Sequence, residues 1–214
     1  MAEQIINKVK PNYQIDLDHL LNVVNASGKR PKLLLHSCCG PCSSYCLSYL
    51  HDFFDITVFY YNPNIYPEEE YIHRLNEQKR LISLLNQDLQ TDIRFLEGDY
   101  DYAVFLNEVK GLEEEPEGGK RCRTCFELRL SEAQRVAKKG AFDYFGTTLT
   151  VSPHKNALVI NEVGASISDA YASAVHPLWM FSDFKKRNGY QTSIVLSRKY
   201  DLYRQDYCGC EFSL

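Results

Sequence analysis

Eight cysteines in 214 residues fall into three groups: Cys38, Cys39, Cys42 and Cys46, then Cys122 and Cys125, then Cys208 and Cys210. The N-terminal stretch MAEQIINKVKPNYQID lacks the apolar core of a secretion signal, so the sequence reads as cytoplasmic. A reducing cytosol disfavours structural disulfides, and clustered thiols there point to metal or redox chemistry. Cys122 and Cys125 are three residues apart, which puts both sulfurs on one face of a helix. Cys208 and Cys210 flank Gly209; side chains two apart in an extended segment point the same way, and glycine permits a close approach. Cys38 and Cys39 would diverge in a strand, but a turn before a helix lets both face one centre. Thiolates in this number suit zinc or iron–sulfur ligation. Cys46, one helical turn past Cys42, reads instead as a small core side chain.

Three chemistries stay open on spacing alone. A zinc ion held by two cysteine pairs uses four thiolates and leaves a surplus; such a protein would be a zinc-stabilised RNA-binding module without catalysis. A 4Fe–4S cluster also takes four, and the surplus then implies a second metal or a redox pair beside it. The third reading is a thiol–disulfide oxidoreductase. Cys39–Gly40–Pro41–Cys42 reproduces the CGPC motif of thioredoxins, in which a helix N-terminus activates the first cysteine. Against it, Cys38 stands where thioredoxins carry tryptophan, and five other cysteines are left without a role.

These residues must be positioned by the elements around them. Residues 15–28 have helical spacing and stop at Ser27–Gly28. PKLLLHS (31–37) reads as a buried strand, and GPCSSYCLSYLHD as a helix with Pro41 in its first turn. ITVFYYN (56–62) is a second strand, and 68–87 an amphipathic helix with acids at its N-terminus. DIRFLEGD (92–99) is a third strand, followed by a short helix at 101–110 and a polar loop at 111–120. Residues 121–140 are helical, 141–150 a fourth strand, and 155–170 helical again. The stretch 172–178 fits no one pattern, and 185–203 ends in a helix. Strands alternating with helices predict one α/β domain over residues 1–214, a parallel sheet flanked by helices. Ligands of such sheets sit beyond the C-terminal strand ends, where HSCCGPCSS lies. The cysteine-lined metal site is expected there.

Composition adds exclusions. With 44% hydrophobic and 24% charged residues the chain can build a core, and no run approaches a membrane span of roughly 20 apolar residues. A net charge of −4 does not advertise nucleic-acid binding, though a local basic face can act within an acidic protein.

The motifs HSCCGPCS, YNPNIYPEEEYIHR, CRTCFELRL, TTLTVSPHKN and YRQDYCGC occur in this order from residue 36 to 210. Together they resemble the QueH-type epoxyqueuosine reductases, a cobalamin-independent family acting in the last step of queuosine synthesis on tRNA. The resemblance implies a Rossmann-like fold related to the PP-loop and HUP group, without its SGGxDS phosphate loop. It implies a 4Fe–4S cluster and a mononuclear iron, with Cys38, Cys39, Cys122, Cys125, Cys208 and Cys210 as ligand candidates; Cys42 is a further candidate at a position where some relatives carry aspartate. The implied reaction is two-electron deoxygenation of an epoxide to an alkene, on tRNA carrying epoxyqueuosine, with electrons from a donor the sequence does not name. The oligomeric state is not legible either.

For that reaction His36 and His154 are candidate proton donors at neutral pH. Ser152 and Lys155, after strand four, are placed to set a phosphate against a helix N-terminus. Asn62 and Asn64, beyond strand two, are candidate nucleobase contacts, and Arg204 a phosphate contact. Lys185–Lys186–Arg187 and Arg198–Lys199 are the most basic stretches available to tRNA.

Overall fold

LLL in PKLLLHS is apolar without alternation because the strand it forms, β1 (Lys32–His36), is covered on both faces. Leu33 and Leu35 join one core and Leu34 the other, as a two-residue side-chain period requires. The computed structural model describes residues 11–168 and 177–213. Four further strands are β2 (Asp55–Tyr60), β3 (Arg94–Glu97), β4 (Tyr144–Thr147) and β5 (Leu178–Trp179). All pair in parallel, in the order β3-β2-β1-β4-β5. This is the parallel sheet that the alternation predicts, in the Rossmann-like form that the resemblance implies.

Helices cover both faces. The first core contains α1 (Tyr13–Ser27), α2 (Gly40–Leu50), α3 (Glu68–Leu89) and α7 (Gly189–Lys199). The second contains α5 (Lys120–Lys139) and α6 (Ala157–Ile167), with Phe145 and Trp179 from the sheet. A short helix, α4 (Tyr102–Glu108), carries Phe105 onto α5 beside Cys125 and Cys210.

Two differences from the sequence reading bear on the site. The fourth strand ends at Thr147 rather than at 150. The Thr147 hydroxyl accepts a hydrogen bond from Leu149 N (3.2 Å) and starts a 3₁₀ turn over Thr148–Val151. β5 lies at the end of the stretch that fits no pattern, where pairing with Tyr144 and Phe145 makes two residues a strand. The rest of that stretch to residue 176, the first ten residues used for the signal reading, and the end of the helix expected to reach 170 lie outside the described residues. Among the described residues no helix is long and apolar enough to cross a membrane.

The strand order matters for function. The chain runs outward from β1 through β2 to β3, then returns to place β4 on the other side of β1. Loops leaving β1 and β4 therefore diverge and open a crevice at their C-terminal ends. The cysteine motif occupies one lip and Ser152–Lys155 the other.

Candidate metal centre

Ser37 continues the ladder one residue past β1, donating its N–H to Phe59 O at 2.9 Å, and the chain then turns into α2. Cys39 is the N-cap and Pro41 lies in the first turn, where its missing N–H removes no helical bond. This turn brings the sulfurs of Cys38, Cys39 and Cys42 within 4.8 Å of one another; among the described residues no other three metal-ligating side chains are so close. Beneath it, the Ser37 and Ser43 hydroxyls both donate to Gln78 Oε1 (2.8 Å each), and Asn62 Nδ2 donates to Ser37 O at 2.8 Å. A side-chain network thus anchors the turn to α3 and to the loop after β2.

Cys122 and Cys125 lie on the first turns of α5, three apart and on one face, as their spacing predicts. Cys208 and Cys210 arrive from the far end of the chain, and that segment is held by contacts the spacing does not reveal. Arg74 on α3, 1% exposed, forms an ion pair with Glu70 at 2.6 Å. It also donates to the carbonyls of Cys208 (3.2 Å) and Tyr207 (3.4 Å), and its guanidinium lies 5.0 Å from the Tyr207 ring centre. Gly209 has φ +104°, and its O accepts from Tyr66 N at 2.8 Å. A Cβ at this position would meet Ile65 Cγ1 at 2.9 Å and Arg74 Nη1 at 3.0 Å.

Two cavities result. The inner one, about 40 Å³, is lined by Cys38, Cys122, Cys125, Cys208 and Cys210 with Asn64, Arg129 and Lys155. The outer cleft, about 310 Å³, is lined by Cys38, Cys42, Lys155, Tyr190, Arg204 and Gln205 among others. Cys38, Cys208, Glu117, His154 and Lys155 line both, so they form the seam between the two spaces.

Electrostatics favour thiolate at this seam. Hydrogen bonds from the Cys39 and Cys42 thiols hold Cys38 well below the ordinary thiol range, against its burial, and push Cys39 and Cys42 up in turn. The Cys210 thiol does the same for Cys208, with help from Lys155 and from Ser213, whose Oγ is 3.1 Å away. Burial pushes Cys125 up to about 11. Burial also opposes charge on Lys155 and Arg129, yet the surrounding cysteine sulfurs outweigh it and raise both. A metal binds by displacing the remaining protons. The donor set fits an iron–sulfur group: sulfurs from three chain segments, the cations Arg121, Arg129 and Lys155 on the wall, and buried Asn64 Oδ1 without a hydrogen-bond partner.

Not every expected residue reaches these spaces. His36 is fully buried and lines neither cavity. Its Nδ1 pairs with Thr147 Oγ1 (2.9 Å) and its Nε2 with Tyr61 O (3.1 Å). Burial first, then the Arg129 charge, lowers it to about 4. It is a neutral strut between β1 and β4, not a proton donor, because both nitrogens are committed. Asn62 is likewise wholly buried under Ser37, so it holds the loop instead of meeting a nucleobase. Ser152 lies on the outer cleft, but its Oγ accepts from His154 N (3.3 Å). The α6 N-terminus is capped by Asn156 Oδ1, which accepts from Leu158 N at 3.0 Å, so a phosphate does not find that N–H free. Arg204 lines the cleft and donates to Ser197 Oγ at 3.3 Å.

The basic stretches are mostly spoken for. Lys185 pairs with Asp183 (3.1 Å), Arg187 with Asp18, and Lys199 with Asp88 (2.6 Å). Among the described residues Lys186 and Arg198 form no ion pair. Cys46 packs in the first core with its thiol pushed up by burial, as expected of a core side chain. The buried, raised Cys39 is also the wrong partner for thioredoxin chemistry, which needs an accessible, acidic first cysteine.

Arg129, Arg74 and Gln78 are the residues the sequence reading missed. A signal existed for the first two: Arg129 follows Cys125 by one helical turn in CRTCFELRL, and Arg74 follows Glu70 likewise. Gln78 carries no such mark.

Comparison with known proteins is consistent with this geometry. The family model described as "Epoxyqueuosine reductase QueH" matches residues 33–214. Epoxyqueuosine reductase QueH of Streptococcus pyogenes is 42% identical, over 99% of this chain and 83% of its own. Its namesake from Staphylococcus epidermidis is 41% identical, over 99% of this chain and 90% of its own. Among solved structures, the U34-tRNA thiolase NcsA from Methanococcus maripaludis with its 4Fe-4S cluster covers 94% of this chain and 67% of its own at 12% identity. Its TM-score of 0.49 is too low a likeness to carry weight. With a family model across most of its length and relatives above 40% identity over nearly all of it, the chain belongs to the QueH family of epoxyqueuosine reductases.

Proposed function

We propose that this chain reduces epoxyqueuosine to queuosine in tRNA, by iron chemistry at the seam between the two cavities. The observation that carries the proposal is convergence: five cysteines from three distant segments surround one small space, which opens through Cys38 and Cys208 into a cleft large enough for a ligand head group. The reaction consumes an epoxide, two electrons and two protons, and yields an alkene and water.

The sulfur positions support one division of the ligands. Cys122, Cys125, Cys208 and Cys210 around the inner cavity would hold a 4Fe–4S cluster, and the tight Cys38, Cys39 and Cys42 group a single iron. When bound, these groups supply single electrons and a Lewis-acid site for the epoxide oxygen. The chain's own side chains do the rest. The modified base enters the outer cleft, flanked by Tyr190 and Arg204. His154 and Lys155, on the seam, hold exchangeable protons on an imidazole nitrogen and on Nζ beside the place where oxygen must leave. Pro41 and Pro153 close the cleft wall without adding donors that would compete for the substrate. Asn64 presents a buried, unpaired Oδ1 to the inner wall, where it can accept a hydrogen bond. For tRNA, Lys186 and Arg198 in the basic stretches and Arg204 on the cleft form no ion pair among the described residues, and they are the phosphate contacts proposed here.

Anaerobic purification is the test. Brown protein with bound iron, and loss of both absorbance and epoxide reduction in Cys122→Ser, are the expected results. Colourless protein holding zinc, or full activity in an iron-free preparation, would sink the proposal. tRNA affinity should fall steeply with salt if phosphates are contacted.

A further inference from the structure

Arg129 is the anomalous charge of this site. It is 3% exposed on α5, one turn after Cys125, and its Nε donates to Cys125 O at 3.1 Å. A guanidinium carries five N–H donors. The four on Nη1 and Nη2 have no hydrogen-bond acceptor among the described residues, and the side chain lines the inner cavity. The other buried arginines have more partners: Arg74 has Glu70, and Arg121, with only its Nε unpaired, donates to the carbonyls of Leu112, Glu113, Glu115 and Phe212. Among the described residues no carboxylate forms an ion pair or hydrogen bond with Arg129. The groups attracting it are the sulfurs of Cys125, Cys38, Cys208 and Cys122. Lys155, another cation on this wall, is attracted by those of Cys38, Cys208 and Cys42. Glu117 also lines the cavity, but it is exposed on a loop at the rim, where water screens its charge.

A cation buried without a counter-charge is strongly destabilising, so its retention implies that an anion belongs beside it. Four thiolates around a 4Fe–4S core carry two net negative charges in the oxidised state and three after one-electron reduction. Cations on the wall favour the more negative, reduced state, because net charge is a main determinant of cluster potential. The small cavity and the depth of Arg129 exclude a tRNA phosphate as its partner.

We infer that Arg129, with Lys155, is the built-in counter-charge of the metal–thiolate group, and that Arg129 raises its reduction potential. Arg129 is a positioning residue: it acts through the cluster and does not touch the substrate. The inference rests on the iron–sulfur reading above.

Arg129→Met removes the charge while keeping most of the length, and Arg129→Lys keeps the charge. Iron content and absorbance of anaerobically prepared protein come first, followed by the midpoint potential from a dithionite titration read by electron paramagnetic resonance. The expected result for Arg129→Met is full iron and a reduction equilibrium at least tenfold less favourable, about 59 mV lower for a one-electron couple. Arg129→Lys should stay within threefold of the wild-type equilibrium. A wild-type potential in iron-replete Arg129→Met overturns the inference. If Arg129→Met takes up no iron, Lys155→Met and Arg129→Gln are titrated instead, and unchanged potentials in those overturn it equally. Wild-type protein without iron fails the cofactor reading itself, and is recognised before any variant is compared.

Discussion

Replacing Arg74 by methionine should detach the C-terminal ligand segment from the rest of the site. The guanidinium is 1% exposed and serves three partners at once: Glu70 at 2.6 Å, Cys208 O at 3.2 Å and Tyr207 O at 3.4 Å. Breaking a buried ion pair by removing one partner costs about 3–5 kcal/mol. The lower end applies here, because Glu70 keeps a second donor in the Tyr203 hydroxyl at 3.2 Å. The two carbonyls add about 1 kcal/mol or more each if they stay buried and unpaired. Methionine recovers part of the apolar packing, which leaves a net loss of roughly 3 kcal/mol. With a urea slope of about 2–3 kcal/mol/M, the unfolding midpoint falls by roughly 1–1.5 M. Arg74→Lys should lose most of this too, because one ammonium cannot reproduce the planar fork. Limited proteolysis separates local from global loss: cleavage within 203–213 should accelerate before the core opens. An Arg74→Met protein with a wild-type midpoint, an equally resistant C-terminal segment and full iron content would refute the clamp.

Three further outcomes follow from the same physics. Gly209→Ala forces a side chain into positive-φ backbone and against Arg74, so stability should fall by about 1–3 kcal/mol in denaturant unfolding, together with iron uptake. Asn161→Ala strips buried partners from Trp179 Nε1 (3.1 Å) and from Ser182 N and O (3.1 and 2.8 Å), a loss of roughly 3 kcal/mol; the fluorescence of Trp179, the one tryptophan of the sequence, reports it. Glu77 accepts from Arg80 and from Tyr203 N, with the Arg80 bond the larger cause of a carboxyl held below its ordinary 4.5. A depressed carboxyl contributes stability that is complete above 4.5 and disappears as pH falls through the folded value. The wild-type advantage over Glu77→Gln should therefore be constant above about pH 5.5 and shrink in acid, and a pH-independent difference would contradict it.

Much of this protein is legible in its sequence, for local reasons. Alternating strands and helices specify the parallel sheet, because periodicity is a property of adjacent residues. The CxxC spacing puts Cys122 and Cys125 on one helix face by geometry alone. The order of five motifs along the chain carries the family resemblance without reference to the fold. Other features were decided by pairing across the chain. β5 is two residues long and exists because Tyr144 and Phe145 offer it an edge. His36 and Asn62 sit among functional motifs, yet their partners, Thr147, Tyr61 and Ser37, make them structural, and no local pattern announces those partners. The basic stretches near residue 185 look available until Asp18, Asp88 and Asp183 are placed beside them. Arg129 shows the same division most clearly. The sequence puts it one turn from Cys125, but only the tertiary structure leaves it buried, without a carboxylate, facing sulfurs from three distant segments. Charge acts through space, and distance in space is what the linear order of residues does not contain.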